Sequence, residues 1–293
     1  MSIVIEHLSK TYRKGTKALD DINLIIDHGI FGLLGQNGAG KSTLMRILTM
    51  LLTPTKGNVS ICDKQVNKKN EMAIKSMIGY MPQEFGFYNN LSVVDCLEYM
   101  AILTGIPKSK RKQAISNVIQ TVNLDEQKRK KYKELSGGMK RRLGIAQALL
   151  GTPKVLIVDE PTVGVDPEER IRIRNILSEY ATENTVLLST HIIEDVEMTC
   201  QDLAVIHQGK LLYDGKVEKM LGMCEGKVYK CILNKPTMLK ELEKKYTIVS
   251  SRSAGTHMEL KIISDIPPLE LKSELIPVSL EDAYVSMTKG MSA

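Results

Sequence analysis

Apolar residues recur at two different spacings along the chain, and the spacing changes from one segment to the next. Positions 3–8 and 22–26 alternate between apolar and polar residues, which predicts two antiparallel strands with one exposed face. Unbroken apolar runs at positions 30–34, 155–158 and 186–188 predict strands that are buried on both faces, as in a parallel sheet. Segments with helical spacing lie between these runs, so the pattern is that of an α/β fold.

A helical stretch interrupts this alternation of strands and helices. Positions 93–103 and 109–122 read as amphipathic helices, and positions 140–150 predict a third helix after the turn at 135–139. We therefore expect a helical subdomain at about residues 84–150, inserted into the α/β core.

An aromatic cluster opens this helical stretch. Phe85, Phe87 and Tyr88 lie among glycine and asparagine residues and follow neither the period of a strand nor that of a helix. Aromatic side chains at such irregular positions predict an exposed apolar patch, and patches of this kind mark binding sites for partner molecules. We expect this cluster to receive a partner of the chain.

The last quarter of the chain has a pattern of its own. Gly222 and Gly226 mark a boundary, so we expect one domain at residues 1–221 and a smaller α/β domain at residues 222–293. The smaller domain is predicted to contain three strands and two helices, at positions 228–233, 248–253 and 258–263, and at 236–245 and from Ser279 onwards. No motif that carries chemistry is recognised there.

A glycine-rich segment joins the strand at 30–34 to the helix predicted at 42–52. It reads Gly-Gln-Asn-Gly-Ala-Gly-Lys-Ser from Gly35 to Ser42 and fits the pattern of a phosphate-binding loop. The glycines let backbone amides turn toward a phosphate, and the following helix N-terminus adds partial positive charge. We expect Lys41 to pair with the outer phosphates of a nucleotide and Ser42 to offer an oxygen ligand to Mg²⁺.

Two adjacent acids close the buried strand at 155–158. Ligands bind at the carboxyl ends of strands in open α/β sheets, and neighbouring carboxylates repel each other unless a cation relieves the repulsion. Asp159 is therefore expected to hold Mg²⁺ through water, and Glu160 to take a proton from the water that attacks the γ-phosphate. A helix N-cap is the alternative for this pair. His191 follows another buried strand, where a structural role competes with contact to the γ-phosphate.

Four weaker candidates rest on their position in the chain. Gln83 follows the short strand predicted at 78–81 and is placed to reach Mg²⁺ or its water, while Tyr12 is either an adenine-stacking residue or an ordinary surface tyrosine. The turn at 135–139 opens a second helix N-terminus, where a further phosphate contact is the sharper hypothesis. Asp166 before a proline is a plausible N-cap.

The positive charge of the chain is concentrated in one region. The net charge is +6, yet residues 108–142 hold twelve lysines and arginines against three acids. A solvated helical face is the first interpretation of this excess, and a nearby anionic membrane surface is the second. Nucleic acid is disfavoured as a partner because a single aromatic residue, Tyr132, is interleaved with the basic ones.

Hydropathy and cysteine content indicate where the chain works. No run approaches the ~18 apolar residues that a membrane span requires, and the first residues lack the features of a signal peptide. The five cysteines are scattered, odd in number and not paired at zinc spacing, which suits reduced thiols. We therefore expect a cytosolic protein.

Taken in order, these motifs closely resemble those of the ATP-binding subunits of ABC transporters, over about residues 1–220. Gly35–Ser42 is similar to the Walker A loop of that family, and Asp159 with Glu160 is similar to its Walker B motif. Leu135–Met139 is similar to its signature, a motif that is highly specific when it precedes Walker B. The resemblance implies a P-loop NTPase fold: a RecA-like core with an antiparallel β subdomain and an inserted helical subdomain.

The resemblance also implies a role for each candidate residue. Tyr12 would stack on adenine, Gln83 would belong to the Q-loop, Asp166 to the D-loop, and His191 would be the switch histidine. The residues implied to contact ATP are Tyr12, Gly35, Gln36, Asn37, Gly38, Ala39, Gly40, Lys41, Ser42, Thr43, Ser136, Gly137, Gly138 and Asp166. The implied catalytic residues are Glu160, His191 and Gln83, and the implied Mg²⁺ ligands are Ser42, Gln83 and Asp159. One departure is small, since Val163-Gly164-Val165-Asp166 replaces the commoner serine-glycine-leucine-aspartate.

Partners follow from the same resemblance. Two such domains close head to tail, so a second copy or a paralogous ATPase subunit is expected, and hydrolysis would drive a separate integral membrane permease. The chain would then lie at the cytoplasmic face of the membrane. The C-terminal extension and the segment 29–35 look like those of exporters. The alternative is a soluble ABC-type ATPase that acts on ribosomes or DNA, although the tandem ATPase units or long coiled coils of such proteins are not seen here.

Overall fold

The computed structural model describes residues 3–13, 15–234 and 238–289. The chain divides into two compact units, Met1–Asp214 and Gly215–Ala293, whereas the sequence pattern placed the boundary after residue 221. The helix start predicted at position 236 lies outside the described residues.

Strands and helices alternate through the first unit. Its strands are β1 (Ile3–Thr11), β2 (Lys17–Ile26), β3 (Gly29–Leu34), β4 (Lys56–Ile61), β5 (Lys64–Gln65), β6 (Ile78–Met81), β7 (Val155–Asp159), β8 (Thr185–Thr190), β9 (Asp202–His207) and β10 (Lys210–Lys216). Its helices are α1 (Lys41–Leu48), α2 (Glu71–Lys75), α3 (Val93–Leu103), α4 (Lys108–Thr121), α5 (Gly137–Leu149), α6 (Pro167–Tyr180) and α7 (Ile193–Thr199). Within the described part of the chain, no helix has the length and apolar character that crossing a membrane requires.

The alternating segments form a four-stranded sheet in the order β2-β1-β4-β5. β1 runs antiparallel to β2, with Ile3 opposite Ile26, as the alternation predicted. Ile3 and Ile5 are buried while the residues between and after them are more exposed, because successive side chains of a strand point to opposite faces. The sheet therefore has one face in the core.

The apolar runs form a six-stranded sheet in the order β10-β9-β3-β8-β7-β6. β3, β8, β7 and β6 are parallel neighbours, and every residue of β7 and β8 is buried. The carboxyl ends of neighbouring parallel strands lie at one edge of a sheet. This topology therefore brings together the segments that follow four strands, namely those that begin near Gly35, Gln83, Glu160 and His191.

Helix α1 packs between the two sheets of this unit. Leu44 and Leu48 are fully buried in the same core cluster as Ile3 of the antiparallel sheet and Leu33 of the parallel sheet. The helix ends at Leu48, so the prediction that it extends to residue 52 was wrong. The chain leaves the helix because Met50 has a left-handed backbone with φ of 60°.

The helical subdomain lies in the chain between β6 and β7, as predicted. Ser92 caps α3 through a capping box, and Ser136 caps α5, whose first residue is Gly137. The prediction that this last helix begins at residue 140 was therefore wrong. Ser136 accepts a hydrogen bond from the amide of Met139, so the signature turn is itself the start of the helix.

The expected aromatic patch is mostly covered. Tyr88 is 75% exposed, but Phe85 and Phe87 are half-buried. Phe87 packs edge-to-face on Tyr132, with ring centroids 5.7 Å apart. The prediction of three exposed aromatic side chains was wrong for two of them, because the helical subdomain packs against their rings.

The second unit is a four-stranded antiparallel sheet with helices. Its elements are α8 (Val217–Gly222), β11 (Val228–Leu233), α9 (Leu239–Lys245), β12 (Thr247–Ala254), β13 (His257–Ile263), β14 (Lys272–Leu275) and α10 (Leu280–Lys289). The sheet order is β12-β13-β11-β14, and the short strand β14 was not predicted. Its core contains Cys231, Leu260 and Ile262. Ser279 and Asp282 cap α10, as the sequence indicated.

Candidate functional site

The glycine-rich loop turns sharply between β3 and α1. Gly38 and Gly40 have φ of 83° and 114°, a left-handed backbone that glycine adopts without steric cost. A Cβ at Gly40 would lie 2.6 Å from the carbonyl oxygen of Ala18. The loop thus requires glycine there both for its conformation and for its close approach to β2.

Lys41 is buried at the first turn of α1, where its charge opposes the helix dipole. Its Nζ donates to the carbonyl oxygen of Gly35 at 2.5 Å and lies 3.5 Å from Oε1 of Glu160. The ammonium group is therefore held inside the loop between backbone oxygens and a carboxylate. An anion that enters the loop meets a cation already in place.

Asp159 lies opposite the start of α1. Its Oδ2 accepts a hydrogen bond from the hydroxyl of Ser42 at 3.2 Å, and its Oδ1 accepts one from Ser189 at 3.1 Å. Burial raises the pKa of the Asp159 carboxyl above its ordinary value, while the two hydroxyl groups oppose that shift. A buried carboxylate next to a serine oxygen is a donor set that a hard divalent cation prefers.

Glu160 has its side chain at the centre of the polar contacts. It is 3% exposed, and its Oε1 lies 3.0 Å from Nδ1 of His191. Its Oε2 accepts hydrogen bonds from the hydroxyl of Thr190 at 3.3 Å and from the amide of His191 at 3.4 Å. The backbone of Glu160 is left-handed, with φ of 52°, which is a strained conformation for a glutamate.

A buried network that the sequence did not reveal supports this corner. The hydroxyl of Thr162 donates to Asp195, whose other oxygen lies 3.5 Å from the guanidinium of Arg174. Asp195 is fully buried on α7, close after His191, and Thr162 closely follows Glu160. The network therefore ties the segment after β7 to the segment after β8. Its sequence signal was weak, since a lone threonine and aspartate are common in loops.

These residues enclose a pocket of about 360 Å³ at the carboxyl edge of the sheet. The residues that line it are Ala18, Gln36, Asn37, Gly38, Gly40, Lys41, Ser42, Thr43, Gln83, Asp159 and Glu160. The structure thus brings together most of the loop, both acids and Gln83, as the sequence predicted. Ala18 was not predicted. Ala39 is buried behind the loop, and His191 reaches the pocket through Glu160.

Tyr12 lies beside this pocket. Its hydroxyl is 3.2 Å from the hydroxyl of Thr43, and the ring is 39% exposed. Together with Lys10, Arg13 and neighbouring residues the ring lines an open cavity. An accessible aromatic face next to the phosphate loop suits stacking with a nucleobase.

The signature turn does not line the pocket. Ser136 and Gly137 are exposed, while Gly138 is buried under Glu169, so that a Cβ on Gly138 would lie 2.5 Å from Cγ of Glu169. Asp166 caps α6 by accepting a hydrogen bond from the amide of Glu169 at 2.9 Å. The side chain of Glu169 therefore packs the start of α6 against the start of α5.

Glu169 is fixed by a buried ion pair. Its Oε2 lies 3.0 Å from Nε of Arg142, which is 3% exposed and also donates to the carbonyl oxygen of Val122 at 2.8 Å. An arginine that bonds with a carboxylate and a carbonyl has its fork of donors well satisfied. This pair holds the two helices together behind the signature turn.

Comparison with known proteins gives one answer. A family model described as ABC transporter matches residues 19–163. The chain is 36% identical over 224 residues to "Methionine import ATP-binding protein MetN 2" of Bacillus cereus, an alignment that covers 73% of this chain and 66% of that protein. It is 37% identical over 201 residues to "Probable multidrug ABC transporter ATP-binding protein YbhF" of Escherichia coli, covering 68% of this chain and 34% of that protein.

A solved structure agrees with these relatives. The structure of cbiO1 from Clostridium perfringens, described as part of the ABC transporter complex cbiONQ, superposes with a TM-score of 0.68 at 30% identity. The match covers 75% of this chain and 90% of that one. The chain therefore belongs to the family of ABC transporter ATP-binding subunits, and its first unit contains the ATPase domain of that family.

Proposed function

We propose that the pocket binds ATP and that Glu160 activates the water that cleaves its γ-phosphate. The observation that carries the proposal is the convergence of Lys41, Glu160 and His191 at the carboxyl edge of the sheet, next to a phosphate-binding loop. Lys41 neutralises the outer phosphates, and the loop amides hold them. The imidazole of His191, whose Nδ1 lies 3.0 Å from Oε1 of Glu160, orients the Glu160 carboxylate. It also contacts the γ-phosphate.

Mg²⁺ is the metal that these residues fit. Ser42, Asp159 and Gln83 would hold it, since all three offer oxygen and the first two are already hydrogen-bonded to each other. In the described part of the chain no group of three or more histidine, cysteine or acidic side chains is arranged for a metal. That suits an ion that takes several ligands from the phosphates themselves. When bound, the ion would neutralise charge on the phosphates.

Each site is proposed to be completed by a second ATPase chain. The support is the exposed signature turn: Ser136 and Gly137 present a hydroxyl and helix N-terminal amides outside the pocket of their own chain. Such donors suit a phosphate of ATP held by another Walker A loop. The second chain is either another copy or a paralogue, and Asp166 would lie at the interface between them.

The direction of work is proposed to be export through a separate permease at the cytoplasmic face of the membrane. Export is supported by the similarity to YbhF, whose printed name describes a probable multidrug transporter, and opposed by the similarity to MetN 2, named for methionine import. Tyr88, exposed at the start of the helical subdomain, offers a contact for the permease.

A tagged chain recovered from cell membranes tests this part of the proposal. The chain carrying Glu160→Gln is captured with Mg²⁺-ATP, and the proteins that accompany it are identified. A permease without a substrate-binding protein is the expected result. A substrate-binding protein in the complex would overturn export, and recovery with ribosomes or DNA in place of a permease would favour a soluble ABC-type ATPase.

A further inference from the structure

Arg141 connects three segments of the ATPase domain. It lies on α5 shortly after Ser136, and its guanidinium reaches the main chains that follow two neighbouring strands of the parallel sheet. Nη1 donates to the carbonyl oxygen of Gln83 at 2.7 Å, and Nη2 donates to that of Val163 at 3.4 Å. One side chain therefore holds both the segment after β6 and the turn that follows Glu160.

The same face of α5 makes a second contact with the segment after β6. The guanidinium carbon of Arg141 lies 6.0 Å from the centroid of the Phe85 ring. A Cβ on Gly144 would lie 2.3 Å from a carbon atom of that ring. Gly144 is three residues after Arg141, so both face the same side of the helix. The ring fills the space that glycine leaves and covers one side of the guanidinium.

We propose that Arg141 is a positioning residue that makes Gln83 and the signature turn (Ser136–Gly138) move together when nucleotide binds. The inference rests on the proposed function, in which Gln83 contacts Mg²⁺-ATP and the signature turn contacts the ATP of the partner chain. Arginine presents a planar fork of donors, so it fixes the direction of both carbonyl groups that it binds. A shift of Gln83 toward ATP therefore shifts α5 and its N-terminus.

The neighbouring basic residues do not share this arrangement. Lys140 has its Nζ 5.1 Å from the ring centroid of Tyr132, and Arg142 is bound to Glu169 and the carbonyl of Val122. Arg142 therefore fixes α5 to α6, while Lys140 lies over an aromatic ring of the same subdomain. Lys140 thus offers a matched control, since its replacement removes the same charge from the position just before Arg141 on the same helix.

The test compares Arg141→Gln with Lys140→Gln in the full chain. We expect Arg141→Gln to lower kcat by about tenfold, because charge-assisted hydrogen bonds on two carbonyls are lost. The affinity for a fluorescent ATP analogue, KM and the melting temperature should match those of Lys140→Gln. Arg141→Lys should regain part of the activity, since an ammonium group replaces one of the two bonds.

A double variant separates action through Gln83 from a general effect. If Arg141 acts through Gln83, adding Arg141→Gln to Gln83→Ala lowers kcat by much less than tenfold further. If the factors by which Arg141→Gln and Gln83→Ala lower kcat multiply in the double variant, the inference is overturned. Equal kcat values for Arg141→Gln and Lys140→Gln would also overturn it. So would a parallel loss of nucleotide affinity and melting temperature in Arg141→Gln. An unmutated chain that hydrolyses no ATP, alone or with its permease, would overturn the proposed function itself.

Discussion

Two helices of the ATPase domain begin with similar chemistry and lie in opposite surroundings. α1 starts after Gly40 with Lys41 and Ser42, and α5 starts after Ser136 with two glycines. Around the first, Asp159 and Glu160 enclose a pocket, whereas Ser136 and the glycine after it face outward. The difference indicates that the residues facing a helix N-terminus determine what its hydrogen-bond donors can bind. In the proposed function, the first start binds ATP in the pocket of its own chain, and the second contacts ATP that is held by the partner chain.

The largest expected effect comes from replacing Glu160 in the pocket at the start of α1. Glu160→Gln keeps the shape of the pocket but removes the base, so ATP turnover should fall by about 10²- to 10⁴-fold. Binding should persist because Lys41 and Ser42 are unchanged, and an ATP-bound dimer should accumulate in sedimentation experiments. Glu179→Gln, an exposed change on α6, is the matched control. Turnover near that of the control would contradict the role of Glu160.

Mixing two inactive variants tests whether the phosphate loop of one chain and the signature turn of another chain form one ATP site. Lys41→Ala removes the enclosed cation, and Ser136→Arg blocks the exposed turn. A mixed dimer has one site with both defects and one with neither, so an equimolar mixture should recover roughly a quarter of the activity if association is random. A mixture as inactive as its components, with mixed dimers shown to form, would exclude a shared site.

The two glycines of the signature turn should respond differently to alanine. A Cβ on Gly138 would lie 2.6 Å from Oε2 of Glu169, which Arg142 holds in place, so Gly138→Ala should lower the free energy of unfolding by about 1–3 kcal/mol. At Gly137 the nearest atom would be the carbonyl oxygen of Gly164 at 3.9 Å. Gly137→Ala should therefore keep its melting temperature yet weaken ATP-dependent dimerisation. Equal melting temperatures would contradict the packing argument.

The smallest expected effect is a gain in thermal stability when Asp159, in the pocket at the start of α1, is replaced. Burial raises the pKa of Asp159, so the folded chain keeps this proton at pH values where the unfolded chain has lost it. Stability is therefore lost as pH rises through the folded pKa. Asp159→Asn should match the unmutated chain below about pH 4 and melt at a higher temperature at pH 7 without nucleotide. A lower melting temperature for Asp159→Asn than for the unmutated chain at pH 7 would refute the argument.

The phosphate loop and the acid pair could be predicted because their signals are local. The loop lies within one strand-turn-helix segment, and the acids of positions 159 and 160 follow directly on a strand that is apolar throughout. The predicted strands of the parallel sheet then placed Gln83 and His191 at the same edge. Sequence spacing and sheet topology together determine that part of the site.

What could not be predicted depends on contacts between distant segments. Arg141 binds a carbonyl 58 positions away, and Thr162 donates to an aspartate 33 positions away. Neither residue type is distinctive at its position. The burial of Phe85 depends on the absent side chain of Gly144, and β14 has too few apolar residues for a strand pattern. Such features arise from packing, which periodicity does not describe.

Because the backbone of Glu160 is left-handed, thermal stability and ATP hydrolysis favour different residues at this position. With φ of 52°, the position favours glycine or asparagine over glutamate by about 1 kcal/mol. A library that is randomised at this position and screened by heat alone should therefore become enriched in glycine. Those survivors would fold and bind nucleotide but hydrolyse almost none. The same screen repeated with selection for ATP hydrolysis should return glutamate.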